Sequence, residues 1–390
     1  MLRCLSSTSG LRYAKGSAVV ATQDRAKPSS HQRIALFDNI KGILIALVVA
    51  GHFMHPIHND NPALSFVFDV IYLFHMPLFV FMSGLFAKST YRGGRLNLDR
   101  VLSFFALGLG FQLALCLVNG SSLTVSRLLR FSSAPWYLIA MSWWCLMLPL
   151  LSKLGRTRGL LFALAVSLAW GAVDMSGGFL AISRTFAFLP WFALGYYLAP
   201  SDIARIASSS RIKIFVPIAA LIMLARAASP SAYSAFFPLV YGDNPYEGDL
   251  LAGMGLKLIV FGVGIVFSLA LLAIAPQRAS RLTVLGRRTL QVYVLHRLIR
   301  AWLTFRTPFY DMPALLDPLW GTVIITLLAA AAVAITSTRQ LEPLSTRALK
   351  IPWRSLIAHA RRVLAKKRDG HANAFGNESI VRLQSERSKS

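Results

Sequence analysis

Charge is scarce in this chain, and acids are the scarcest of it. Only 15% of the 390 residues are charged, with 16 Asp plus Glu against 41 Lys plus Arg. Soluble domains carry about 25% charged residues. The deficit excludes an ordinary water-soluble globular domain, and a mean hydropathy of +0.55 points to a polytopic membrane protein. Cysteine is equally sparse. Cys4, Cys116 and Cys145 make neither a disulfide framework nor a metal pair, and the last two sit in apolar runs as packing residues. The sequence contains no glycine-rich nucleotide loop, no metal-ligand motif and no internal repeat of fixed period. The net charge of +25 comes without any nucleic-acid-binding motif, and the basic residues lie between and after the apolar runs. Nucleic acid is therefore not the expected partner.

What the chain has in abundance is apolar segments of membrane length. The expected fold is all-α, a polytopic membrane protein with about ten transmembrane helices. The spans fall roughly at 34–54, 64–87, 101–118, 135–152, 159–174, 183–199, 212–227, 251–275, 286–305 and 317–337. Residues 1–33 read as a polar N-terminal cytoplasmic tail or a targeting segment, 34–338 as the transmembrane domain, and 339–390 as a basic cytoplasmic tail. Within that tail, 350–369 is a basic amphipathic stretch suited to an anionic inner leaflet, with disorder expected from Gly370 on. With the N-terminus inside, the inner loops carry Lys88, Arg92, Arg95, Arg100, Lys153, Arg156, Arg158, Arg205, Arg211, Lys213, Arg278, Arg281, Arg287 and Arg288. The outer connections hold only Arg127, Arg130, Arg184, Arg226 and Arg306. This asymmetry follows the positive-inside rule and puts both termini in the cytoplasm.

The first span, RIALFDNIKGILIALVVAGHFMH from Arg33 to His55, carries Asp38, Lys41, His52 and His55. Ionisable groups at membrane depth cost at least ~2.5–3.5 kcal/mol each and mark function by default. Lys41 and His52 are eleven residues apart, nearly on one helix face and roughly 16 Å apart along the axis. Asp38 lies one turn from Lys41 on that stripe.

Further polar groups interrupt other apolar runs. In FDVIYLFHMPLFVFMSG, Asp69, Tyr72 and His75 recur every third residue on one face, and Pro77 frees a backbone carbonyl. APWYLIAMSWW places Trp136 and Tyr137 where an interfacial aromatic belt also accounts for them. Arg184 stands near a span end, where snorkelling explains it equally well. His296 precedes Arg297 and Arg300, which read as marks of a helix end. The connection from about 228 to 250, rich in Tyr, Phe, Pro and acids, suits a lid or saccharide platform, or an ordinary loop.

Five blocks in order carry a family resemblance: FDNIKGILIALVVAGH, YLFHMPLFVFMSGLF, PWYLIAMSWW, SRTFAFLPWFALGYYL and LGRRTLQVYVLH, together spanning residues 33–296. The sequence resembles the acyltransferase-3 family of integral membrane O-acyltransferases, most closely its fucose 4-O-acetylase-like branch. The family's first-span pattern, a basic residue, ten residues and then histidine, is met by Lys41 and His52. Arginine is the commoner basic residue there, and Lys41 lacks its planar fork. The resemblance implies transfer of an acetyl or larger acyl group from acyl-CoA to a hydroxyl of a sugar or glycan, with acyl-CoA as a donor substrate rather than a bound cofactor.

The residues agree with that chemistry. A sugar hydroxyl is a poor nucleophile near neutral pH and needs a base within hydrogen-bond reach, and imidazole titrates in the right range. A developing oxyanion needs fixed donors in a low-dielectric site. The expected catalytic residues are His52, with Lys41 and Asp38 orienting the first helix or facing the donor. His75, Asp69, Arg184, His296 and Trp136 are expected to bind substrate, and Arg92, Arg95 and Arg100 the donor's phosphates. No metal is expected. The expected location is a membrane, the bacterial inner membrane by preference. The alternative is a transporter or flippase of glycan or lipid intermediates, in which the same groups would line a substrate path; the paired broken helices common in transporters are not evident.

Overall fold

The computed structural model describes residues 34–175 and 177–362. The N-terminal tail, and the amphipathic and tail residues from 363 on, lie outside the described residues. The chain is helical nearly throughout. In order the helices are α1 (Ala35–Met54), α2 (Pro62–Phe86), α3 (Leu98–Asn119), α4 (Val125–Leu128), α5 (Trp136–Trp170), α6 (Ile182–Ala187), α7 (Leu189–Tyr197), α8 (Pro200–Ser208), α9 (Phe215–Ala228), α10 (Pro230–Ser234), α11 (Leu250–Ile274), α12 (Arg281–Arg287), α13 (Thr289–Arg306), α14 (Pro318–Thr336) and α15 (Glu342–Ala348). The two strands among the described residues, β1 (Tyr91–Arg92) and β2 (Arg95–Leu96), form a short antiparallel hairpin between α2 and α3.

Among the described residues, six helices are long and apolar enough to cross a bilayer: Ala35–Met54, Pro62–Thr90 (α2 with the turn that follows it), Leu98–Asn119, Trp136–Trp170, Leu250–Ile274 and Pro318–Thr336. The count of ten is not met, for a distinct reason at each remaining span. The expected 135–152 and 159–174 run together as α5, with a break at Gly155, where φ is 71°. Only glycine adopts that backbone without strain. The 183–199 span divides at Phe188 into α6 and α7. The 212–227 span yields a 14-residue helix, α9, too short for a ~30 Å hydrocarbon layer. The span at 286–305 becomes α13, 18 residues long, and Arg297, Arg300 and Arg306 keep it polar.

α1 is the central helix and packs against α2, α12, α13 and α14. Leu44, Ile45, Val49 and Phe53 are fully enclosed. Close approach to α12 depends on two glycines. A Cβ at Gly42 would run into the Leu282 backbone, and one at Gly286 into the Asp38 backbone. With lipid outside there is little hydrophobic force between helices, so such backbone contact supplies much of the packing energy.

Hydrogen bonding fixes the same end of α1. Asn39, fully buried, donates through Nδ2 to the Pro276 and Arg278 carbonyls (2.7 and 2.8 Å). Its Oδ1 accepts from Ser280 Oγ (3.0 Å) and Thr283 Oγ1 (2.7 Å). Ser280 and Thr283 also cap the start of α12. One asparagine, unremarked in the sequence, thus holds the turn that positions α12. Asp38 pairs with Lys41 (2.7 Å) and Arg287 (3.4 Å). Past α15, residues 353–362 are helical, and Trp353 Nε1 donates to Ser103 Oγ of α3 (3.0 Å).

Candidate active site

At the other end of α1 the helices part around a cavity of about 310 Å³. α1 contributes Val48 and His52, α2 contributes Tyr72, His75 and Met76, and α13 contributes Tyr293, Arg297 and Arg300. The wall is closed by Ser132 to Ala134, Trp136 of α5, Arg184 of α6, Phe188, and Val240 and Tyr241 from the connection before α11. His55 stands at its mouth.

The histidines are oriented by their partners. His296, fully buried, places Nδ1 2.6 Å from the Val292 carbonyl one turn back. A carbonyl only accepts, so Nδ1 carries the proton and, in the neutral ring, Nε2 is a bare lone pair. That lone pair lies 2.8 Å from His52 Nδ1. His52 Nδ1–H therefore donates to His296, and His52 Nε2 is left as an acceptor. The two rings are 11° from coplanar with centroids 5.1 Å apart. At this nitrogen separation the rings meet edge to edge along the hydrogen bond, not face to face. His75 repeats the device: its Nδ1 donates to the Ile71 carbonyl (2.7 Å), leaving Nε2 unprotonated.

The remaining wall is held by polar ties. Arg184 is bound by Asp243 (Nη2 to Oδ2, 2.6 Å) and by the Ser132 carbonyl (2.8 Å), and lies over the Trp136 ring at 5.4 Å. Trp136 stacks on Phe188 (5.3 Å, 24°). Lys257 of α11, buried, donates to the Leu239 carbonyl (3.2 Å). The connection expected as a lid or platform is thus fastened at Leu239 and Asp243, on either side of Tyr241. Tyr293 donates to the Ala134 carbonyl. Burial, then Asp69 and Asp243, push the Tyr241 phenol up to about 12. Tyr310, which donates to the Phe53 carbonyl (3.1 Å), is pushed up to about 12 by burial. Both stay neutral donors at working pH. His55 is held down at about 4 by burial and by the nearby Arg300, His58 and Arg297.

Four residues singled out in the sequence, His52, His75, Arg184 and Trp136, line this one cavity, and His296 stands behind its wall, bonded to His52. Three groups do not. Lys41 and Asp38, grouped with His52 by the helical stripe, lie three turns away in the Asn39 region, paired to each other. A stripe records which face a residue occupies and is silent on what that face meets at each level. Asp69 faces α9 instead of the cavity: Arg226 Nε and Nη2 both reach its Oδ2 at 2.8 Å, so it acts as a strut. Arg92 and Arg95 are exposed in the β1–β2 hairpin, and Arg100 donates to Ser89 Oγ (3.2 Å). The structure adds Ser133, Tyr241, Tyr293, Arg297 and Arg300 to the cavity wall. For the two arginines the signal was present, since they follow His296 at helical spacing, but a helix end explained them equally well. Among the described residues no cluster of His, Cys, Asp or Glu is suited to a metal.

A family model described as an acyltransferase domain matches residues 34–338. Nodulation protein NolL of Sinorhizobium fredii (strain NBRC 101917 / NGR234) is 44% identical over 80 residues, covering 19% of this chain and 22% of that relative. The match thus spans about a fifth of that relative's length. No solved structure matches the chain.

Proposed function

Because this chain belongs to the acyltransferase domain family, matched over residues 34–338, we propose that it is a membrane acyltransferase moving an acetyl or other acyl group from acyl-CoA to a hydroxyl of a sugar or glycan. The observation that carries this reading is the His52 Nε2 lone pair, left free at the cavity by the bond from Nδ1 to His296. His52 Nε2 takes the proton of the acceptor hydroxyl as the new C–O bond forms. The thioester C–S bond breaks, and the proton passes to the departing thiolate. His296 serves as a positioning residue: it holds the His52 ring in the tautomer that leaves Nε2 bare and accepts from Nδ1–H while the ring is charged. Tyr72 and Tyr241 hydroxyls are the neutral donors available to the oxyanion. His75, with its own bare Nε2, is the second candidate base.

Arg92, Arg95 and Arg100, together with Lys41, fit the charged end of the donor, and the supporting argument is charge. Positive-inside asymmetry supports cytoplasmic termini, an acyl-CoA approach from the inner face, and a cavity opening outward in a bacterial inner membrane. The block resemblance to fucose 4-O-acetylase-like proteins supports a sugar acceptor and an acetyl donor.

The test is acetyl transfer by the purified full chain in detergent, paired with the O-acetyl content of surface glycans with and without the gene. Wild-type protein that neither transfers nor hydrolyses acetyl from acetyl-CoA, with glycan acetylation unchanged by deletion, overturns the reading. Reporter fusions at Asn59 and Tyr91 should report outside and inside respectively, and the reverse would overturn the orientation.

A further inference from the structure

Two cations in the cavity wall have no counter-charge. Arg184 is neutralised by Asp243 and Arg226 by Asp69, whereas among the described residues no acid pairs with Arg297 or Arg300. Arg300 is 8% exposed. Its Nε and the Nη1 of Arg297 are buried without a hydrogen-bond partner. What these side chains do reach is neutral: Arg297 Nη2 donates to Ser133 Oγ (3.0 Å), and Arg300 stands beside the Tyr310 hydroxyl. An unpaired buried guanidinium carries a large desolvation cost. A planar fork left unfilled beside a cavity has the shape to hold carboxylate or phosphate.

We propose that Arg297 and Arg300 form an anion-binding subsite beside the His52–His296 pair, and that the acceptor is a hydroxyl compound carrying a carboxylate or phosphate. This rests on the acyltransfer reading of the same cavity. Two observations place the charge on the acceptor and not on the donor. Arg300 lies one turn beyond His296, on the side away from Lys41 and the basic hairpin. A second, strongly polar cavity of about 390 Å³ adjoins the first through shared Ser132 and Ser133. Arg127 and Arg130, for which no acid partner is found among the described residues, line it, and the buried Asn119 Oδ1 there has no hydrogen-bond partner among them. An anionic glycan chain reaching His52 would extend along this second cavity, and a carboxylate or phosphate on its next residues would meet Arg127 and Arg130.

The experiment is thermal unfolding of the full chain in detergent, titrated separately with inorganic phosphate, glucuronate, neutral glucose and acetyl-CoA. Phosphate or glucuronate should raise the melting temperature of the wild type, and glucose should not. The Arg297→Gln/Arg300→Gln variant should melt no lower than wild type without ligand, because a buried charge has been removed. It should need at least tenfold more anion for the same shift, with acetyl-CoA affinity unchanged. The Arg297→Lys/Arg300→Lys variant keeps the charge without the fork and should fall between the two, which covers the case in which the Gln pair does not fold. Anion-insensitive wild type, or variants that retain the full shift, overturn the subsite. A tenfold loss of acetyl-CoA affinity in the variants assigns the anion to the donor's phosphates and overturns the acceptor assignment. All arms read binding, so protein that shifts with anions yet never transfers acetyl sinks the catalytic reading while the subsite stands.

Discussion

At the Asn39 end of α1, side-chain amide, hydroxyls and carbonyls satisfy one another, Asp38 lies between two cations, and two glycines bring α12 into backbone contact. At the His52 end, three turns on, the same helix meets a cavity where two imidazole Nε2 atoms are unprotonated and, among the described residues, two guanidinium groups lack acids. Both ends are polar inside an apolar protein, and polarity alone does not separate them. What separates them is satisfaction. Where every donor finds an acceptor, buried polarity fixes geometry. Where partners are missing, the protein carries an energetic cost that a substrate can relieve.

Four changes would break or sharpen that contrast. The largest effect is expected at His52. His52→Gln should insert and bind donor normally yet turn over at least ~100-fold more slowly, about 2.7 kcal/mol in the barrier. Near-normal turnover by well-inserted protein would move the search to His75. Next comes the saturated end. Asn39→Ala strands two carbonyls and two hydroxyls, and should lower stability by about 2 kcal/mol while the folded fraction keeps turnover within about twofold. Thermal melts with activity normalised to folded protein would show it, and a collapse in normalised turnover would erase the distinction between the ends. Third, His296→Ala removes one hydrogen bond to the base and should slow turnover about tenfold, with His296→Gln recovering part of it through its amide oxygen. An acidic limb of the pH–rate profile that shifts in the Ala variant would separate a tuning role from a packing role. The smallest effect is expected where solvent is nearest: neutralising Arg92, Arg95 and Arg100 together should weaken acyl-CoA binding by about three- to tenfold, more so at low salt. Salt-independent affinity in the mutant equal to wild type would confine these residues to topology.

Much of this was legible in the chain. Local periodicity gave the first, second, third, eighth and tenth spans, and the composition of the interrupted runs picked out His52, His75, His296, Arg184 and Trp136. What periodicity cannot carry is pairing across long sequence separations. The bond between His52 and His296, the Asn39 ties to the turn before α12, and Arg226 meeting Asp69 each join residues that have no spacing relation. Lys41 shows the same limit: it shares a face with His52, and its close partner in the structure is Asp38. The span count failed where single residues decide, at Gly155 with its positive φ and at Phe188, where one apolar run becomes two short helices.

The hydrogen-bond line from His52 through His296 ends on the Val292 carbonyl, an atom that neither stores a proton nor hands one on. Under the proposed reaction, a proton taken up at His52 has no exit along α13 and goes back to the departing thiolate. Each cycle is then electroneutral: the acceptor's hydroxyl proton leaves on the thiol as the acyl group goes the other way, and no free proton is taken up or released. Under the same proposal the thioester's own free energy, not an ion gradient, drives the transfer. Transfer reconstituted in sealed vesicles should therefore run at one rate whether the membrane is energised or its voltage and proton gradient have been collapsed with ionophores.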